Sequence, residues 1–466
     1  MTRPRAVPVP RLYKVAASVY QDFNAGKDSV KNLVYQARDK HPNLKAIFAL
    51  VMEALNHTKA IEAATNKIEL FTKEPRFQKE LAFVLITELL FGKKVLPGRS
   101  IPVLTLQKYK NQLENNLKGL ENLSGREKNR FPKYARVNSL CNSLHRVARD
   151  LREDGWLEVM YDKKKTTYAR YLDMVAELDE SNYLVDYHLE NVLVFPPKSQ
   201  LYDHNLVKDG SLLLQDKASC LPVHALSPPP GSVVLDACSA PGMKTSQIAS
   251  LVCGDWVAAM GGSPPPGAKV VAVERSTKRC GLLKQILQKS RADCVCKVIN
   301  ADFLEIQPQD YSDVEYIVLD PSCSGTGMIN RNSLEDQAPT LESLQTFANS
   351  QIRLLTHALS FPSVKRLVYS TCAVSREENE GVIEHVLKER EDWRTCIVLP
   401  SWERRGEGEI GNNFLRAEPT SDLCNGFFVA VLERSTCTST KELANFKFKI
   451  MGEGGVRYHI IGFLAF

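Results

Sequence analysis

VVLDACSAPGMKT, residues 233–245, is the stretch that decides the fold. A run of apolar and β-branched residues ends at Asp236, a tight turn follows at Pro241-Gly242, and a helix-forming segment opens near Lys244. Strand, turn and helix in that order begin a Rossmann-like βαβ unit. The turn is not the dinucleotide fingerprint, which places three glycines where backbone must meet a pyrophosphate; only Gly242 is present. It is not a P-loop either, because Cys238 stands where that motif needs its first glycine, six residues before Lys244. A ligand without phosphates has no need of such a cradle. An adenosine bearing a sulfonium fits, and the turn therefore predicts S-adenosylmethionine.

Outward from this turn, residues 231–432 alternate short apolar strands with amphipathic helices. Strands are predicted at Val233–Ala237, Val270–Glu274, Cys296–Ala301, Tyr316–Leu319 and Arg366–Ser370, and helices at Lys244–Val252, Thr277–Ser290, Leu341–Leu359 and Glu377–Lys388. That alternation implies a mostly parallel sheet covered on both faces. GFFVAVLER (426–434) is read as an antiparallel addition to it. Acids stand at the strand ends: Asp236, Glu274, Asp302 and Asp320. Ligands of such sheets bind outside the carboxyl ends of the strands. All four are thus candidates for the crevice, Glu274 for the ribose hydroxyls and Asp302 for the adenine amino group. A helix N-cap is the plain alternative for any one of them.

Two cysteines share this setting. YIVLDPSCSGTGM (316–328) places Asp320 and Cys323 just past the fourth strand, and LVYSTCAV (367–374) places Cys372 just past the fifth. Either thiol alone reads as a small core residue. Fourth and fifth strands commonly lie side by side, so the two thiols and Asp320 can converge beside the cofactor. A thiolate that adds to carbon 6 of a pyrimidine makes carbon 5 able to take a sulfonium methyl group, while Asp320 is suited to hydrogen-bond ring N3 and supply a proton. The thiol must ionise, so its pKa must be lowered by nearby positive charge or backbone N–H groups; Lys244 is a candidate cation. From the residues alone, which cysteine attacks stays open. The acidic run Glu377–Glu380 reads as the first turn of the next helix, where negative charge complements the dipole. GGSPPPGAK (261–269) and SWERRGEGEIGNN (401–413) read as exposed, flexible insertions.

Upstream, Leu12, Val15, Ala16, Val19 and Phe23 share one helical face, and helical patterns recur over Leu44–Leu55 and Gln78–Leu90. Residues 1–125 are accordingly read as a helical domain. RFPKYARVN (130–138), the helical LCNSLHRVARDL (140–151) and short strands around Tyr183–Val194 make 126–215 a small α/β domain whose basic first strand suits an RNA backbone. Residues 216–434 form the catalytic domain, and 435–466 are a tail without clear pattern. Nine Lys/Arg against three Asp in residues 1–50, and ten Lys/Arg against four acids in 101–150, each amount to +6, the same as the whole chain. Basic patches in the N-terminal half suit a polyanionic partner, nucleic acid first; a solvated helical surface looks similar. Twelve Cys without a CxxC pair point to a reducing compartment. No His stands at zinc-ligand spacing, so no metal is expected. MTRPRAVPVP lacks the apolar core of a secretory signal, and no apolar run approaches the ~20 residues of a membrane helix.

SAPGMKT, LDPSCSGTGM and YSTCAVSREENE, in this order, resemble the motifs of the Nol/Nop/Sun-domain RNA (cytosine-5) methyltransferases, and RVNSL and DGSLLLQDKAS fit as well. The resemblance covers roughly residues 130–434, and the whole-chain pattern points to the branch that methylates a cytosine of large-subunit ribosomal RNA. It implies a Rossmann-like S-adenosylmethionine-dependent methyltransferase domain, preceded by a small RNA-recognition-like α/β domain and an N-terminal helical domain. It further implies a nuclear, nucleolar rRNA (cytosine-C5) methyltransferase of ribosome biogenesis, monomeric, RNA-binding and not membrane-bound. It assigns attack to Cys372, product release to Cys323, and a catalytic role to Asp320. Cofactor contact is carried over to Cys238, Ser239, Ala240, Pro241, Gly242, Met243, Lys244, Glu274, Arg279 and Asp320, beside Asp302 from the strand pattern.

Methylation of another RNA, such as tRNA, or of DNA is the first alternative. Ser322, between Pro321 and Cys323, departs from the DNA enzymes, whose nucleophile follows Pro directly. A non-catalytic RNA-binding assembly factor is the second; it would have lost Cys372 or Asp320, and both are present. Three features depart from the family pattern. Met243 stands where many members have Gly, which predicts altered loop dihedrals. The GGSPPPGAK insertion is long enough to shift Glu274. The chain also ends in an apolar stretch rather than a Lys/Arg-rich one.

Overall fold

The computed structural model describes residues 8–28, 30–118, 131–254, 264–329 and 339–435. Helices Arg11–Asn24, Leu44–Lys67, Lys79–Leu90 and Ile101–Leu117 pack around Val19, Ile47, Val51 and Leu85 as a core of their own. The predicted face of the first helix is the buried one, with Val15, Ala16, Val19 and Phe23 inside and Leu12 partly so. The second pattern runs on past Leu55 to Lys67, and Asn43 opens that helix by accepting the Ala46 N–H at 3.0 Å.

The small domain is a sheet of β1 (Lys133–Val137), β2 (Leu157–Glu158), β3 (Asn182–Val185), β4 (Val192–Phe195) and β5 (Leu212–Leu214), in the order β2-β3-β4-β1-β5. Its two faces serve two different cores. Ala135, Val137, Leu193 and Phe195 meet Val147 and Leu151 of the domain's own helix. Tyr134, Val192 and Val194 join Leu221, Ile248 and Ala249 of the following domain. The basic first strand turns one of its two cations inward. Lys133 is exposed, but Arg136 is fully buried, donating Nε to Gln215 Oε1 at 2.8 Å and Nη2 to Ser246 Oγ at 2.7 Å.

The catalytic sheet comprises β6 (Val233–Asp236), β7 (Lys269–Val273), β8 (Cys296–Ile299), β9 (Tyr316–Leu319), β10 (Arg366–Thr371), β11 (Trp393–Cys396), β12 (Leu415–Ala417) and β13 (Phe427–Arg434). The order is β11-β13-β10-β9-β6-β7-β8, with β12 also paired to β13. β6 to β10 pair with one another in parallel, and β13 is antiparallel to β10. β9 and β10 lie side by side on one flank of β6, as the strand pattern predicts, so Cys323 and Cys372 emerge from adjacent strand ends.

The two insertions part ways. Residues 261–263 of GGSPPPGAK lie outside the described residues. Beyond them β7 pairs with β6 in regular register, Val233↔Lys269 to Asp236↔Ala272, and the Glu274 N–H bonds the Ile299 carbonyl at 3.0 Å. Glu274 is not displaced from the strand end. The 401–413 stretch is not the wholly exposed insertion expected of it. Trp402 is 1% exposed, donates Nε1 to the Arg416 carbonyl at 2.9 Å and packs against Tyr168 and His188 of the small domain. A buried indole and the hydrogen bonds of Arg405 to the Val398 and Leu399 carbonyls outweigh the freedom of the glycines. The apolar ending, residues 436–466, lies outside the described residues. Among the described residues no helix is long and apolar enough to cross a membrane.

Candidate active site

The turn after β6 is closed by its own hydrogen bonds. Ser239 sends both its N–H and its hydroxyl to the Val273 carbonyl, at 3.0 and 2.9 Å. Asp236 is buried and accepts from Thr245 Oγ1 at 2.7 Å, and burial raises its pKa to about 7. It braces the turn, which corrects its placing among the crevice acids, and Ser239 likewise turns its hydroxyl to the neighbouring strand. Gly242 has φ 116°, a conformation that strains any side chain, and a Cβ there would fall 2.8 Å from Leu283 Cδ1, so that leucine would have to shift as well. Met243 opens the helix Met243–Cys253. The left-handed step falls on Gly242, and Met243 is already helical.

Beside the turn lies an open cleft lined by Cys238, Glu274, Arg279, Asp302 and Ser322 among others. Arg279, on the helix Thr277–Lys289, donates Nη2 to the Ala240 carbonyl at 2.6 Å, with Nη1 3.5 Å from Glu274 Oε2. It props the turn against Glu274, whose Oε1 accepts the Ser276 N–H at 2.8 Å. Asp302 Oδ1 accepts the Leu304 N–H at 3.0 Å, so this residue is both an N-cap and part of the cleft wall. Burial pushes the Cys238 thiol up, which leaves it a neutral wall group. Pro241 is exposed at the rim and Ala240 is buried behind it.

Adjoining the cleft, five segments converge. Cys323 Sγ and Cys372 Sγ are 3.3 Å apart. Asp320 accepts from Ser370 Oγ at 2.7 Å on one oxygen and from Lys244 Nζ at 2.7 Å on the other. Lys244 also donates to Ser219 Oγ at 3.1 Å and sits 5.1 Å from the Phe427 ring centroid. The two thiols are not equivalent. The Cys372 pKa is lowered, first because the Cys323 thiol donates to it, with the Lys244 charge acting in the same direction against burial and the Asp320 carboxylate. Cys323, as the donor in that contact, is raised. Of the two thiols, Cys372 is the one that ionises more easily.

Known proteins are similar over most of the chain. The sequence matches the description "16S rRNA methyltransferase RsmB/F" over residues 223–433. It matches the ferredoxin-like and N-terminal domains of "NOL1/NOP2/Sun domain family member 5" over 131–215 and 45–129. It is 36% identical to a mouse (Mus musculus) 28S rRNA (cytosine-C(5))-methyltransferase, covering 92% of each chain. The chain belongs to the NOL1/NOP2/Sun-domain family of RNA (cytosine-5) methyltransferases. A Drosophila melanogaster relative with the same name as the mouse protein is 34% identical, over 93% of this chain and 98% of that one. The crystal structure of PH0851 shares the fold, with a TM-score of 0.58 at 16% identity, covering 92% of this chain and 100% of that one.

Several residues that shape this family member's site escape a reading of the sequence. The helix after β10 begins at Glu380, not Glu377, and Glu378, Asn379 and Glu380 are all fully buried. Lys217 has a side chain with no exposure, 2.8 Å from the equally buried Asp186. It is surrounded by Tyr168 and Trp402 with ring centroids at 5.0 and 5.3 Å, and by His188 Nδ1 at 3.3 Å. Burial, with the Lys217 charge adding to it, lowers the His188 pKa to about 3 and keeps that ring neutral. Charged residues in a sequence read as surface; only the partner across the domain boundary shows otherwise.

Proposed function

We propose that this chain is an S-adenosylmethionine-dependent methyltransferase that forms 5-methylcytosine in large-subunit ribosomal RNA in the nucleolus, with Cys372 as nucleophile. The observation that carries the reading is the 3.3 Å thiol pair beside the Asp320–Lys244 ion pair. The donor set fits the cofactor. Glu274 and Asp302 present carboxylates suited to hydroxyl and amino groups, and the turn Cys238 to Lys244, propped by Arg279, offers no glycine-rich phosphate cradle. S-adenosylmethionine bound there supplies an electrophilic methyl group.

The chain's own residues supply the rest. The Cys372 thiolate forms a bond to C6 of an unstacked cytosine, the C5=C6 electron pair shifts through C4 toward N3, and N3 takes up a proton that reaches it through Asp320 from Lys244, its ion-pair partner at 2.7 Å. C5 takes the methyl group, and N3 returns its proton to the Asp320–Lys244 pair. A base then removes the C5 proton, the C5–H pair re-forms C5=C6, and the C6–S pair returns to Cys372, with Cys323 assisting release.

Lys244 extends the pH range of attack downward, behind the larger effect of the Cys323 hydrogen bond. Its positive charge lowers the Cys372 pKa, so Lys244→Met raises that pKa and shifts the acid limb of the kcat/KM profile to higher pH. A shift of one unit costs roughly tenfold in rate at pH values below both pKa values. The measurement is the pH profile of methyl transfer by wild type and variant. An acid limb left in place contradicts this role for Lys244.

Ribosomal RNA as substrate is supported by the names of the mouse and fly relatives, both 28S rRNA enzymes. Bisulfite sequencing of total RNA from cells with and without the active protein tests it. A single large-subunit cytosine that is methylated only with the protein is expected. A tRNA cytosine instead reassigns the substrate, and no change at all supports the non-catalytic assembly factor.

A further inference from the structure

We propose that Glu378, Asn379 and Glu380 are positioning residues that set the placement of the two thiols, and that Glu378 couples them by binding both thiol-bearing loops at once. This rests on the reading of Cys372 as nucleophile and Cys323 as the release thiol. All three side chains lie in residues with no exposure, and burying two carboxylates is unfavourable unless every oxygen finds donors. Helix capping does not account for them. Asn379 occupies the N-cap position of the helix Glu380–Leu387 and makes no side-chain cap bond.

Their hydrogen bonds go instead to the residues flanking the cysteines. Asn379 Oδ1 accepts from Thr371 Oγ1 at 2.5 Å and its Nδ2 donates to the Ala373 carbonyl at 3.0 Å, which holds Cys372 from both sides. Glu380 takes Arg416 in a fork at 2.8 and 2.6 Å, and the same guanidinium donates Nη1 to the Val374 carbonyl at 2.8 Å. Glu378 reaches across. Its Oε1 accepts the Ser324 N–H at 2.9 Å and Gln351 Nε2 at 3.0 Å, while Oε2 accepts from Ser375 Oγ at 3.0 Å. Gln351 Nε2 also donates to the Ser322 carbonyl at 3.1 Å. The residues before and after Cys323 thus end on one carboxylate–amide pair, and that carboxylate also holds the loop of Cys372. Gly327 closes the assembly. Its N–H donates to the Cys372 carbonyl at 2.8 Å, and a Cβ there would lie 2.3 Å from the Gly426 carbonyl oxygen.

The division of labour follows. Cys372 keeps its supports from Asn379 and from Arg416–Glu380 when Glu378 is lost, whereas the Cys323 loop loses the acceptor of its Ser324 N–H and is left with Gln351 on the Ser322 carbonyl and Gly327 on the Cys372 carbonyl. Attack and methyl transfer then persist, and breaking of the C6–S bond slows. The test uses the full-length protein, S-adenosylmethionine and unmethylated large-subunit ribosomal RNA made by transcription. It compares first-turnover methyl transfer, steady-state turnover and the covalent protein–RNA adduct on a denaturing gel. Glu378→Ala is expected to keep its first turnover, lose roughly 10–100-fold in steady-state turnover, and accumulate adduct. Glu378→Gln keeps an acceptor for the Ser324 N–H and a partner for Ser375, and is expected to restore turnover. Should Glu378→Ala fail to fold, Gln351→Leu removes the amide half of the clamp and is expected to show the same split. First and later turnovers falling together without adduct, or unchanged turnover in Glu378→Ala, overturns the proposal. If Cys323→Ala also yields no adduct, the Cys372 reading falls and takes this proposal with it.

Discussion

Cys372→Ala is expected to abolish both methyl transfer and the covalent adduct, a loss on the order of 10⁴-fold or more, because removal of a nucleophile leaves only binding and electrostatics. Cys323→Ala is expected to do the opposite to the adduct: attack proceeds, release stalls, and protein–RNA conjugate accumulates. The asymmetry comes from the surroundings of two chemically identical groups 3.3 Å apart. Cys372 receives a hydrogen bond from Cys323 and the field of Lys244, both of which favour its thiolate, while Cys323 as donor is raised. Methyl transfer from tritiated S-adenosylmethionine, run beside a denaturing gel of the same reactions, measures both quantities. Methylation surviving in Cys372→Ala, together with no adduct in Cys323→Ala, would mean that the roles are wrongly assigned.

The second large effect is on stability. Lys217→Ala is expected to destabilise the protein by about 3–5 kcal/mol, because it leaves the Asp186 carboxylate buried without its cation. Asp186 remains tied to its own turn through the His188 and Leu189 N–H groups at 2.9 and 3.0 Å, so it cannot swing out to water. His188 does not compensate easily, since burial already keeps its ring neutral, with a pKa of about 3. Pairing Lys217→Met with Asp186→Asn is expected to recover most of the loss, as replacing both members of a buried pair is far milder than removing one. Denaturant midpoints of the two single variants and the double variant measure this. A Lys217→Ala variant as stable as wild type would show that the carboxylate finds another partner or water.

Much of this protein is legible in its residue order. The strand–turn–helix at 233–245 and the alternation after it place five parallel strands to within a residue or two, because side-chain periodicity and turn chemistry are local. Tyr316–Leu319 matches its observed strand end for end. The side-by-side placing of Cys323 and Cys372 follows from strand order in a doubly wound sheet. What escaped the sequence are the charges that went inside: Arg136 against Ser246, Lys217 against Asp186, and Glu380 against Arg416. Trp402 escaped in the same way, inside a Gly-rich loop that local composition marks as mobile. Each of these side chains is buried by a partner far away along the chain. A carboxylate or guanidinium has no preference for the interior until the fold brings its counterpart within hydrogen-bonding distance. So Glu378 to Glu380 read as a helix start in the sequence, and only the packing of β9 beside β10 turns them into the clamp around the thiols.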